Sequence, residues 1–267
     1  MEETRDMARW LRSARPGSPL NIVYFTWPSD GPFTGIFQYD ILSLGRQSAF
    51  NGLYLARLIS TLPKNSPISL IGHSHGARMV SSALHLLGGG AMQRYRLCKP
   101  GDCSRRIRAV FLAAAIDHDW LNPDERYHRA LCPTEALLNI RNRSDLALFF
   151  YPLRRPFSRT SLARTGFTKR DQKRLGANFA KITELDVTKQ IGRHHFWQFY
   201  FMEPKISQAI APYVFFDNGN SSQPGNHHLE LPRYTRRTKE RKTKQMVQWH
   251  RTRAPVRISG RNAGRYR

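Results

Sequence analysis

At 267 residues, 40 % of them hydrophobic, the chain is long enough for one α/β domain with a real core and too short for two full ones. The formal charge of +24 excludes an acidic surface, and half of it falls at the end, where residues 233–267 carry 13 Lys or Arg against the single acid Glu240. Three cysteines, Cys98, Cys103 and Cys132, are too few for a disulfide scaffold and lack zinc-ligand spacing.

No apolar run is long enough for a transmembrane helix, and the opening Met-Glu-Glu-Thr-Arg-Asp has neither the basic nor the apolar region of a signal peptide. A cytoplasmic location is therefore expected. Cys98 and Cys103, separated by Lys-Pro-Gly-Asp, read as a reduced pair in a loop.

In chain order, Glu2 to Arg12 places Met7, Trp10 and Leu11 at helical spacing among charges, which predicts an amphipathic surface helix. Asn21 to Trp27 is a continuous β-rich apolar run closed by Pro28, and predicts a buried strand. Tyr39 to Leu62 predicts a long helix ended by Pro63. Ile68 to Gly72 is strand-like. Then comes Gly72-His73-Ser74-His75-Gly76, and after it Val80, Ala83, Leu84 and Leu87 recur at helical spacing until three glycines stop them.

This G-x-S-x-G between strand and helix predicts a nucleophile elbow. Ser74 would sit on the strained bend, with Gly72 and Gly76 placed where a Cβ would crowd it, and the His75 amide would open the helix as an oxyanion donor. His73 and His75 do not read as a metal pair, because residues i and i+2 across such a turn point apart and no carboxylate cluster accompanies them.

Further on, Ala91 to Arg106 reads as a basic loop, Ile107 to Ile116 as a strand ending at Asp117, and Leu121 to Cys132 as an excursion. Thr134 to Ile140 reads as a strand running into Asn142-Arg143-Ser144-Asp145. Tyr151 to Ala177 is arginine-rich and follows no period, so it reads equally as a cover for the site or as a surface excursion. Lys181 to Val187 is the last expected strand, and His194 leads into a final helix ending near Val214. Residues 217–267 read as a disordered tail on a domain of residues 1–216.

Strands and helices alternating in this order predict a doubly wound, mostly parallel α/β sheet. The Phe25-Thr26-Trp27-Pro28-Ser29 strand end, the elbow, the Asn142 to Asp145 turn and the late histidine resemble a largely uncharacterised bacterial group within the α/β-hydrolase superfamily. The resemblance implies a serine hydrolase acting on an ester or related acyl bond, without cofactor or metal. It also implies a triad in the order nucleophile, acid, base: Ser74, Asp145 and His194. Asp117 is the alternative acid, one strand earlier. His195 is the alternative base, with His194 preferred because Phe196-Trp197 follows where that fold commonly places an aromatic pair. Trp27, Phe149, Phe150 and Trp197 would make an apolar acyl pocket if they faced the serine.

One departure from the pattern bears on activity. The fold's second oxyanion donor comes from a loop after an earlier strand, often marked His-Gly, and no such strand precedes Asn21. An N-terminally truncated domain is therefore expected. The alternative is a degenerate hydrolase fold acting by binding, with the basic tail meeting nucleic acid or an anionic surface.

Overall fold

The structure is a computed structural model and describes residues 2–27, 37–97, 105–216 and 228–230. Cys98 and Cys103 lie outside them; Cys132 is an exposed free thiol.

The helices are α1 (Glu2–Ala14), α2 (Phe37–Thr61), α3 (His75–Leu87), α4 (Leu146–Phe149), α5 (Leu162–Thr165), α6 (Lys169–Leu175), α7 (Thr188–Ile191), α8 (Trp197–Phe201) and α9 (Pro204–Val214). The strands are β1 (Ile68–His73), β2 (Ala91–Met92), β3 (Tyr95–Arg96), β4 (Ile107–Leu112), β5 (Thr134–Arg141), β6 (Ile182–Asp186) and β7 (His228–Glu230). Strands β2 and β3 form a small hairpin inside the stretch expected as a loop.

The main sheet runs β1-β4-β5-β6-β7, with every neighbouring pair parallel. Helices flank it, so the chain has the mostly parallel α/β architecture of the α/β hydrolases. All six residues of β4 are buried, as a central strand covered on both faces must be. That burial includes Arg108, whose two terminal nitrogens donate to Glu135 at 2.8 Å and to the Pro212 carbonyl at 2.6 Å. Beside it, β1 alternates buried and half-buried residues and pairs only with β4 among the described residues.

Two further expectations differ from what the fold shows. Residues 21–27 are irregular and pair with no strand among the described residues: Ile22, Phe25 and Trp27 pack on the core, but Val23 is 74 % exposed. An apolar β-rich run fixes propensity, but a strand also needs a ladder partner and cover on both faces, and this segment has cover on one. Strand β7 lies beyond residue 216, where the sequence reading ended ordered structure; it extends the sheet with register Leu185 to Leu229.

Because all the strands of the main sheet are parallel, the turns after β1, β4, β5 and β6 leave it at the same end. Ser74, Asp117, Asp145 and Val187 are therefore neighbours by topology, as the crevice at the carboxyl ends of a parallel sheet requires.

Candidate active site

Ser74 is the bend between β1 and α3, with φ 52° and ψ −119°. A non-glycine residue at positive φ costs about 1–3 kcal/mol and persists only where the surroundings enforce it. Here the serine amide donates to the Leu112 carbonyl at 2.9 Å, and its carbonyl accepts from the Ala115 amide at 3.1 Å and the Ala77 amide at 3.1 Å. The bend is thus stitched to the end of β4.

Gly72 is required, since a Cβ there would lie 2.7 Å from the backbone of Ala77. Gly76 is not: a Cβ would meet nothing within 4 Å, which corrects the expectation that both glycines are sterically needed. The His75 amide opens α3 and, as the first helical residue, has no acceptor within the helix.

Asp145 leaves the end of β5 and caps α4, one carboxylate oxygen accepting from the Leu148 amide at 3.0 Å. Its other oxygen meets Nδ1 of His195 at 2.8 Å, and Nε2 of His195 meets Oγ of Ser74 at 3.0 Å. Asp145 is fully buried and His195 partly open to solvent. The three groups form a continuous chain from carboxylate through imidazole to hydroxyl.

His195, not His194, occupies the place between serine and acid. The ring of His194 stacks instead on Phe199, with centroids 3.8 Å apart and planes 12° from parallel. Two adjacent loop residues direct their side chains apart, so only one of them faces the sheet end. Asp117, the other candidate acid, is buried and consumed elsewhere: one oxygen takes the Tyr151 hydroxyl at 3.0 Å and the Arg154 guanidinium, the other takes Arg155 at 3.1 Å.

Two positioning side chains escaped the sequence reading. Asn142 is fully buried; its amide donates to the carbonyls of Gly192 at 2.7 Å and His194 at 3.2 Å, tying the turn before Asp145 to the loop that carries His195. Nε2 of His73 lies 2.8 Å from the His195 carbonyl. With an N–H on that nitrogen, the loop is held from the elbow side as well. Burial, reinforced by the His195 charge, lowers the pKa of His73 to about 4, and burial followed by the Arg78 charge lowers that of His75 to about 3. Both flanking histidines are therefore neutral at pH 7. Their place beside the serine was legible; their direction was not.

Of the expected pocket aromatics, Phe149 and Phe150 are exposed and line an open groove beside Asp145, whereas Trp27 and Trp197 are half-buried against the core. Among the described residues no cluster of His, Cys, Asp or Glu has the arrangement of a metal site. Nor does any described helix have the length and apolarity to cross a membrane.

The fold is that of an α/β hydrolase. The chain belongs to a family described as alpha/beta hydrolase of unknown function (DUF900), whose model matches residues 8–150. That span includes Ser74 and Asp145 and ends before His195. Neither the curated proteins nor the solved structures contain a match to the chain.

Proposed function

We propose that the protein is a serine hydrolase that cleaves an ester or related acyl bond through Ser74, His195 and Asp145. The observation that carries this reading is the unbroken pair of contacts, 3.0 Å from serine to imidazole and 2.8 Å from imidazole to carboxylate, assembled on a strained serine.

In this reading Ser74 attacks the substrate carbonyl while His195 takes the hydroxyl proton. Asp145 accepts from Nδ1–H of His195, fixing the tautomer and stabilising the imidazolium as it forms. The His75 amide faces the developing oxyanion, and His195 returns its proton to the leaving alkoxide or thiolate. Water then repeats the sequence on the acyl-enzyme, releasing the acid and freeing Ser74.

A fluorophosphonate probe tests this without a guess at substrate, because it labels only an activated serine. The expected result is one stoichiometric adduct, absent in Ser74→Ala. A folded native chain that takes no label would overturn the hydrolase reading and leave a fold that acts by binding. Esters of p-nitrophenol graded by acyl length would then define the substrate range of a labelled enzyme.

A further inference from the structure

Soluble surfaces usually scatter large apolar side chains singly. Here five fall within residues 146–157: Leu146, Phe149, Phe150 and Leu153 are each 41–56 % exposed, and Phe157 is fully exposed. Phe157 also holds φ 56°, a backbone conformation that bulky side chains rarely adopt. Phe196, the residue after His195, is exposed as well. Leu146, Phe149 and Phe150 line an open groove beside Asp145 and remain exposed there. Leu146 follows Asp145 and Phe196 follows His195 in the chain, so the stretch begins at the acid and base of the proposed triad.

Arginines surround them. Arg143, Arg164 and Arg193 line the groove that also contains Leu146, Phe149 and Phe150. The Arg164 guanidinium lies over the Phe149 ring, 5.0 Å from its centroid. Asp186 pairs with Arg143 at 3.3 Å while also taking Arg141, Asp117 pairs with Arg155, and Asp119 lies 3.5 Å from Arg159. Among the described residues no carboxylate pairs with Arg164 or Arg193.

Projecting rings with guanidinium groups at their edges match the two layers of a membrane surface. The rings enter the boundary between headgroup and acyl chain, and the guanidinium groups, presenting several donors each, bond lipid phosphates. A peptide partner would need a groove closed enough to bury its side chains; this one is open and its apolar residues stay exposed.

We infer that the face formed by residues 146–157 and Phe196 docks on a bilayer containing anionic phospholipid. Docking itself does not depend on catalysis. Its use for hydrolysis rests on the proposed triad, since the docking residues begin one position after Asp145 and one after His195.

The test is co-sedimentation of the full chain with vesicles of phosphatidylcholine, alone or mixed with phosphatidylglycerol. Three proteins are compared: the native chain, the pair Leu153→Ser with Phe157→Asn, and the pair Arg164→Gln with Arg193→Gln, each with circular dichroism to confirm the fold. All three keep the basic segment 233–267, so any difference among them belongs to this face. Native protein is expected to bind the mixed vesicles and to bind neutral ones far more weakly. The apolar pair should lower partitioning at least ~10-fold, and the arginine pair about 30-fold.

Equal binding by all three proteins would assign the attraction to the C-terminal segment and overturn the inference. No binding by the native chain would also overturn it, and equal binding to both vesicle types would overturn the role of charge. Fluorophosphonate labelling without vesicles should be unchanged in the apolar pair. A native chain that docks but takes no label would preserve the docking and reject the hydrolase reading.

Discussion

Among the described residues are two Asp–His pairs of nearly equal geometry. Asp145 meets Nδ1 of His195 at 2.8 Å, and Asp171 meets Nδ1 of His118 at 2.7 Å. They differ in what surrounds the pair. His195 reaches a strained serine with its other nitrogen, whereas among the described residues no hydroxyl is hydrogen-bonded to the other ring nitrogen of His118. Asp145 has one further donor, the Leu148 amide. Asp171 also takes Asn122 at 2.6 Å and the amide and hydroxyl of Thr168 at 2.8 and 2.6 Å, which close a capping box on α6. A His–Asp pair therefore does not define an active site. What separates a catalytic arrangement from a structural clip is an acceptor nitrogen left facing a nucleophile.

Substitutions at these carboxylates should separate the two roles. The largest effect is expected at Asp145→Asn, which removes the charge that orients His195 and should slow labelling about 10⁴-fold while leaving the fold intact by circular dichroism. An unchanged rate would place the acid elsewhere. Next, Asp117→Asn should act on stability, because it removes the partner of the buried Arg154; a loss of about 3 kcal/mol is expected in urea denaturation, with the labelling rate per folded molecule retained. A selective loss of labelling would return Asp117 to the site.

Asn142→Ala tests position rather than chemistry. Releasing the carbonyls of Gly192 and His194 frees the loop that carries His195, and a misplacement of about 1 Å costs on the order of 100-fold in rate. The loss should appear in kcat more than in KM on a p-nitrophenyl ester, and wild-type kcat would contradict the clamp.

The smallest effect belongs to the structural pair. Burial raises the pKa of Asp171, but hydrogen bonds from His118, Thr168 and Asn122 outweigh it and hold the carboxyl at about 2. Its contribution is present above the ordinary carboxylate value and is lost as pH falls from about 4 through about 2. Over that window the native chain should lose about 2 kcal/mol that Asp171→Asn does not. His118 is shifted upward, first by its bond to Asp171, so its share is complete below pH 6.5 and is lost as pH rises through the folded value. Equal acid sensitivity of native and variant would remove Asp171 from this account.

The sequence made the parallel sheet legible, and with it the places of Ser74 at a strand-to-helix bend and Asp145 just past a strand, because each depends on local pattern: apolar strand runs, glycine before the serine, and an aspartate after a strand. The choice between His194 and His195 depends on which way a loop side chain turns, and composition carries no such information. An aromatic pair one residue on pointed to His194, but that ring found Phe199. The segment 21–27 shows the complementary limit: its residues suit a strand, but whether a ladder forms beside it is decided by the neighbour. Asn142 was visible only as part of a turn, since its role lies in carbonyls about fifty positions away.

The central claim is that Ser74 is activated by His195 and not by any other histidine. The measurement that addresses it is the fluorophosphonate labelling rate of His195→Gln and His118→Gln at pH 7, with peptide mapping of the adduct. The expected result is a label on Ser74, lost in His195→Gln and kept near the native rate in His118→Gln. A label on another residue, or similar rates in the two variants, would contradict the account.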